Sequence, residues 1–400
     1  MTTENENRRG LHWLLSLSNF AVGMGAFSVI GVLSPVARSL HVSVATAGFL
    51  MTMYALVYAV ASPLLVSATG KVDRVWVLTS GLAITCTGAA LGALAPTFGW
   101  LLVARALMAA GSGLVTPVAA SVGVATARPE HRGHALATVY AGFPLAQALG
   151  VPVGAYLGYV YGYQATFLAV AAITAIAAVV LGTAVPRGLV VQRTSLATLG
   201  TVIASPRLLG AVSFISFFMA AIFSLYTYLA SFLEVRHGLD RAGVTAMFLV
   251  FGFGAMAGNA LGGALTDRIG SLRTLALLCT AQMVVMPLLT ALHVPLGVTA
   301  ALIGLWSICG WSVNVPQQAR LAALDPERAP VLLALHSAAI YIGSSVGSSL
   351  GGRVLSLFGH DALGFLGATF AAAALGSLGL LTATARRTAT AAASSPVSAP

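Results

Sequence analysis

Apolar runs of about twenty residues, the length a helix needs to cross a bilayer, alternate along the chain with short segments carrying charge, proline or glycine. Punctuated this way, the pattern predicts spans at 11–34, 45–68, 76–95, 99–122, 135–158 and 164–184. A second set follows at 209–233, 243–265, 274–292, 297–318, 331–354 and 363–384. The longest interruption, 185–208, holds Arg187, Arg193 and Arg207 and divides the spans six and six. The expected fold is an all-α integral membrane protein of twelve transmembrane helices in two pseudo-symmetric six-helix bundles, 11–184 and 209–384. A central loop at 185–208 joins them, flanked by an N-terminal tail 1–10 and a disordered tail 385–400 rich in Ala, Ser, Thr and Pro.

Composition narrows the classes. Of 400 residues 58% are hydrophobic and 8% charged, against roughly 25% charged in soluble proteins. A water-facing surface of ordinary polarity cannot be built from these residues, and no stretch is polar enough for a separate soluble domain. The net charge of +10 is carried by arginine, with Lys71 the sole lysine. These cations are scattered between apolar runs rather than gathered on one face, so the partner they imply is a lipid bilayer and not nucleic acid.

Lys and Arg collect on the cytoplasmic side of a membrane. With the N-terminus inside, that side holds Arg8, Arg9, Lys71, Arg74, Arg128, Arg132, Arg187, Arg193, Arg207, Arg268, Arg273, Arg320, Arg328, Arg386 and Arg387. The other side holds only Arg38, Arg236, Arg241 and Arg353. Both termini are therefore expected in the cytoplasm. Leu11–Leu33 after Arg8 and Arg9 is longer than a signal-peptide core of about 7–15 residues and lacks a small-residue cleavage site, so it reads as an uncleaved first span. Cys86, Cys279 and Cys309 fall inside apolar runs at spacings that suit neither disulfides nor a metal.

The two halves repeat. Gly142, Ala146 and Gly150 match Gly343, Gly347 and Gly351 at a constant offset, Gly70 matches Gly270, and Pro129-Glu130 corresponds to Pro326-Glu327. Such offsets suit two bundles related as parallel repeats. The stripe Gly142, Ala146, Gly150, Gly154, Gly158 puts a small residue on one face every fourth position, which suits close helix packing and, compatibly, a seam along which the bundles rock.

Arg105, six residues into the fourth expected span, is the one cation within the membrane. A central charge costs about 2.5–3.5 kcal/mol to insert and normally faces a cavity or a partner; the alternative is a side chain that snorkels to the interface. All ten acidic residues map to a loop, a terminus or a span end. His336 could titrate usefully or serve as a hydrogen-bonded packing residue. No span carries paired acids or a nucleophile beside a base, so neither an enzyme nor a metal or other cofactor is expected.

The segment Gly263-Ala264-Leu265-Thr266-Asp267-Arg268-Ile269-Gly270, followed by Arg273, resembles the loop signature of the major facilitator superfamily. Thr69-Gly70-Lys71-Val72-Asp73-Arg74 is a weaker first-half counterpart, with Ser67 where the family has aspartate and Asp73 as a substitute. In that family the loop is a latch for the outward-open state. Arg105 with Gly111 and Gly113 is similar to the span-four arginine motif, and Gly150-Val151-Pro152-Val153-Gly154 to the span-five antiporter motif. Phe20–Pro35 and Tyr54–Leu65 are similar to drug:proton antiporters of the sugar-efflux and chloramphenicol-efflux type.

The resemblance covers nearly the whole chain. It implies a bacterial inner-membrane, monomeric secondary transporter exporting a drug or metabolite by alternating access, with protons as the coupling ion. Related exporters often carry an acidic residue in the first span, where this chain has Ala26, and no other mid-span carboxylate replaces it. The family's cavity lies among spans one, four, seven and ten. That makes Asn19, Phe20, Met24, Phe217, Phe218, Tyr226, Trp306, Trp311 and Asn314 cargo candidates, with Tyr140, Gln147 and Tyr341 from spans five and eleven. A mainly apolar pocket with few polar anchors suits a neutral or amphipathic small molecule, although aromatics also form lipid-facing belts. Uptake of a sugar or other nutrient by the same fold, and a membrane sensor that no longer transports, are the alternatives.

Overall fold

The computed structural model describes residues 2–128, 131–189, 200 and 204–393, the side chains of 2–9, 330 and 380–393 excepted. Among the described residues the regular elements are helices, and twelve are long and apolar enough to cross a membrane. They run Gly10–Gly31, Val44–Ala68, Arg74–Ala93, Phe98–Thr126, Arg132–Tyr161, Tyr163–Ala184, Pro206–His237, Arg241–Ile269, Ser271–Ala291, Leu296–Leu324, Val331–Phe358 and Ala362–Gly379, referred to below as spans one to twelve. Each coincides with an expected run, but several extend further, because helix geometry tolerates polar residues that end a hydropathy window. Span seven continues to His237, bringing Glu234 inside it. The stretches expected to be tails are partly helical: span one's helix starts at Thr2 and span twelve's reaches Ala393. Residues 190–199 and 201–203 of the central loop, and the Pro129-Glu130 pair, lie outside the described residues.

Short polar side chains start many of these helices by accepting a backbone N–H that has no partner within the helix. Ser43 accepts from Thr46, Asp73 from Val75, Thr97 from Trp100 and Asp240 from Gly243. Gly270 joins spans eight and nine at φ +83°, a left-handed conformation that glycine adopts without the steric cost of a side chain.

Spans one to six and seven to twelve pack chiefly among themselves, by the same pairings. One packs on five, two on four and three on six; seven packs on eleven, eight on ten and nine on twelve. The two sets meet through spans two and eleven and through spans five and eight, again equivalent pairs. The loop ends are unlike. One end, rich in arginine, carries 69–74, 267–273 and 325–328; the arginine-poor end carries 32–43, 238–240 and 359–361.

The glycine stripes face inward within each set rather than lining the seam. A Cβ at Gly142 would overlap the Ser16 carbonyl of span one, while Cβ atoms at Gly154 and Gly158 would meet Ser28 of the same span and Val32 just beyond it. In the second set Gly343, Gly347 and Gly351 press on the carbonyls of Ser216, Ala220 and Ser224 of span seven. In lipid, close backbone approach replaces the hydrophobic drive between helices; the stripes do that for spans one and five and for seven and eleven.

The seam uses other faces. Tyr58 of span two stacks on Tyr341 of span eleven with centroids 3.8 Å apart, and the Ser345 hydroxyl donates to the Thr52 carbonyl at 3.3 Å. Gly252 of span eight lies against the Gln147–Ala148 backbone of span five. Span five meets span eight along its Gly142–Tyr161 stretch, whereas Arg132–Tyr140 makes no comparable contact with the second set. The halves are therefore joined from mid-membrane to the arginine-poor end.

Candidate functional site

Arg105 is fully buried. It does not snorkel. Its guanidinium donates to the Leu50 carbonyl at 3.2 Å, the Ala26 carbonyl at 3.0 Å and the Gly25 carbonyl at 2.5 Å. Its plane lies over the Tyr54 ring, 4.3 Å from the centroid. Hydrogen bonds to a charged group are each worth about 1.5–3 kcal/mol, so three of them match or exceed the insertion cost of about 2.5–3.5 kcal/mol. Only a rigid fork of donors reaches three carbonyls on two helices at once. Arg105 thus ties spans one, two and four into one body, and its partners are backbone rather than a carboxylate.

The cargo candidates separate into three groups. Asn19 donates to the Val139 carbonyl at 2.9 Å and Met24 packs on Gly150, so both join spans one and five instead of facing the other half. Tyr226 and Gln147 do meet across the seam, the tyrosine hydroxyl donating to the Gln147 Oε1 at 2.7 Å. Tyr226 also stacks on Phe251 at 4.1 Å, which sits 5.2 Å from Trp306. Phe27 bridges likewise to Phe223 at 6.1 Å and Trp311 at 6.4 Å. Phe218 is buried and Phe20 half-buried, while Tyr140 and Phe217 are exposed. Asn314 is half-buried, and its Oδ1 bonds to no protein group.

Gln147 lies in a π-helical turn, Ala146–Gly150, one residue short of Pro152. The ring of Pro152 cannot donate and crowds the carbonyl four residues back; a wider turn relieves that crowding, and such turns recur at functional sites. Gly150 and Gly154 of the same motif keep span five against span one. His336 is buried, and neither ring nitrogen bonds another described protein group.

At the arginine-rich end, Asp267, Arg268 and Arg273 are exposed with Gly270, Gly263 is half-buried, and Asp267 makes no ion pair among the described residues. The first-half counterpart differs. Asp73 caps span three and accepts from the Gly188 N–H at 2.7 Å, Arg74 is buried and donates to the Gly70 carbonyl at 3.5 Å, and Lys71 is exposed.

The arginine-poor end holds a cluster that the hydropathy pattern does not mark. The Glu234 carboxylate of span seven accepts from Ser34 at 2.6 Å and from Tyr159 at 2.6 Å, one hydroxyl per oxygen. The Arg38 guanidinium lies 3.8 Å from the same carboxylate and 5.7 Å over the Tyr159 ring. All three partners belong to the first half.

Twelve spans, repeated pairings and the loop signature at Asp267 converge with one further observation: residues 15–348 match the sequence pattern of the Major Facilitator Superfamily. The chain belongs to that superfamily. Among relatives, it is 30% identical over 341 residues to the uncharacterized MFS-type transporter YbcL of Bacillus subtilis (strain 168), covering 85% of this chain and 87% of the relative. It is also 30% identical over 365 residues to the inner membrane transport protein YdhP of Escherichia coli (strain K12), covering 90% and 93%. Among solved structures, the nucleoside transporter NupG superposes with a TM-score of 0.77 at 11% identity, covering 94% of this chain and 99% of that one. A bacterial homolog to the human lysosomal transporter Spinster, inward-facing and occupied, gives 0.71 at 16% identity, covering 95% of each. At such identities the structural likeness concerns the fold. As a major facilitator protein, the chain is a multi-pass membrane transporter.

Proposed function

We propose that this transporter exports a small neutral or amphipathic molecule, a drug or metabolite, across the bacterial inner membrane by alternating access coupled to proton influx. The observation that carries this reading is the asymmetry of the seam. The described side-chain contacts between halves run from mid-membrane to the arginine-poor end, a device with two arrangements if the opposite end can close in turn. The positive-inside rule makes the arginine-rich end, with both termini, cytoplasmic; the halves 11–184 and 209–384 then form an inward-facing state. The YdhP name, an inner membrane transport protein, agrees with that location.

Cargo sits at the cross-seam group of Gln147, Tyr226 and Trp306. It offers aromatic faces and amide, hydroxyl and indole groups but no carboxylate among these three residues, and each guanidinium nitrogen of Arg105 is engaged by a carbonyl of its own half. This favours an uncharged cargo carrying hydrogen-bonding groups. In the opposite, outward-open state the exposed Asp267, with Arg268 and Arg273, closes the arginine-rich end as a latch. One chain contains both halves, so it works as a monomer.

The test is accumulation of a panel of drugs and metabolites in cells expressing the protein, with and without an uncoupler. Export predicts lower accumulation that rises to the control level when the proton gradient collapses. Accumulation above control that the uncoupler abolishes would replace export by uptake. No difference for any compound would favour the non-transporting alternative.

A further inference from the structure

Among the described residues, Glu234 is the acidic side chain that joins the two halves. It is fixed from its own side by a rigid frame. Tyr228 donates to the Ser348 carbonyl at 2.7 Å, Ser231 bonds the His360 ring at 2.9 Å, and Arg236 pins the end of span seven to the Leu292 carbonyl at 2.9 Å and to Asp361. The carboxylate held on this frame is presented to the first half. Ser34 and Arg38, four residues apart on the short helix Leu33–Ser39, therefore share a face and meet it together with Tyr159. With its side chain 20% exposed, the group is buried enough to be held and open enough to exchange a proton with the solution at the arginine-poor end.

We propose that Glu234 is the transporter's protonation site at this end, and that binding a proton there releases the first half and opens the seam. The proposal rests on the proton-coupled reading above. An ionised carboxylate is purely an acceptor, able to take one hydroxyl on each oxygen; once protonated it must itself donate and can no longer serve both in the same way. Charge-assisted hydrogen bonds are roughly twice as strong as neutral ones, and two of them cross the seam here. The attraction of Arg38 is lost at the same time. Protonation therefore weakens the contacts that hold the seam closed, and the open:closed ratio rises as pH falls.

The other titratable and charged groups facing this site are Arg38 on the short helix, His41 on the following loop, Tyr159 on span five, and His360 beside Asp361 between spans eleven and twelve; Arg236 and His237 share the helix of Glu234. Burial holds the His360 ring below its ordinary value, and its hydrogen bond to Ser231 lies within the second half. His360 is thus the rival pH sensor, and a separable one.

The experiment uses the full chain, free of native cysteines, in lipid nanodiscs. Spin labels at Leu94 and Val235, both strongly exposed near this end, report the distance across it between pH 8 and pH 5, a range chosen to span carboxylate and histidine titration. The wild type should shift toward longer distances as pH falls, by about tenfold in the open:closed ratio, roughly the effect of 1.4 kcal/mol. Glu234→Gln should remove that dependence, and His360→Gln should keep it. A wild-type distance that ignores pH overturns the proposal, as does a response that survives Glu234→Gln or disappears only in His360→Gln. Should Glu234→Gln not yield folded protein, Tyr159→Phe takes its place. It should raise the open fraction at pH 8, and an unchanged fraction would also overturn the proposal. The readout needs no cargo, so a pH-driven distance change without drug or metabolite transport would leave the gate standing and remove the export reading instead.

Discussion

Arg105 and Glu234 are both charged groups within spans, but their partners differ in one respect. Every described partner of Arg105, the carbonyls of Gly25, Ala26 and Leu50 and the ring of Tyr54, belongs to its own half. Those of Glu234, namely Ser34, Tyr159 and Arg38, lie on the other half. The first set can persist through any relative movement of the halves; the second must break when the arginine-poor end opens. A charge within a span thus braces one half or bridges the two according to where its partners are anchored. The glycines divide the same way. Gly343 presses on span seven within its half, whereas Gly252 presses on the span-five backbone across the seam.

Removing the brace gives the largest expected effect. Arg105→Ala deletes three carbonyl bonds and leaves a buried void, so it should lower stability by about 2–5 kcal/mol, read as a fall in melting temperature in detergent. Transport should be lost while the protein still inserts in the membrane. Wild-type transport by this variant would remove Arg105 from the account.

The two glycines sharpen the comparison at smaller scale. Gly343→Leu overpacks the interior of one half and should destabilise by about 1–3 kcal/mol. Gly252→Leu acts between halves that can part, so its melting temperature should stay near wild type while the seam is wedged open. Equal destabilisation by both substitutions would show that the seam is as fixed as the interior.

The fold was largely legible before any coordinates. Periodic runs separated by arginines, prolines and glycines mark all twelve crossings, because lipid forces backbone bonds to be satisfied within each helix and so forces long apolar runs. The repeat was legible too, in the matched Gly142 and Gly343 series. What a stripe faces is not written in its spacing, and both series turned inward to their own halves. Arg105 stood out because a mid-span cation is conspicuous. Glu234 did not, since a hydropathy window closes at the first charged residue and placed the span end at 233, while the structure carries the helix to His237. Its partners Ser34 and Tyr159 are remote in sequence, and only tertiary packing brings them together. A signal was present in hindsight: a carboxylate at an apolar run's edge, on the side otherwise poor in charge.

The claim beneath both comparisons is that the halves move as bodies, closing at one end as they open at the other. Paired spin-label distances measure this directly, with Leu94 and Val235 reporting the arginine-poor end, and Lys71 and Arg273, both exposed, the arginine-rich end. Passing from wild type to Gly252→Leu, the account predicts that the first distance lengthens and the second shortens. An arginine-rich distance that stays fixed, or lengthens together with the other, would contradict it.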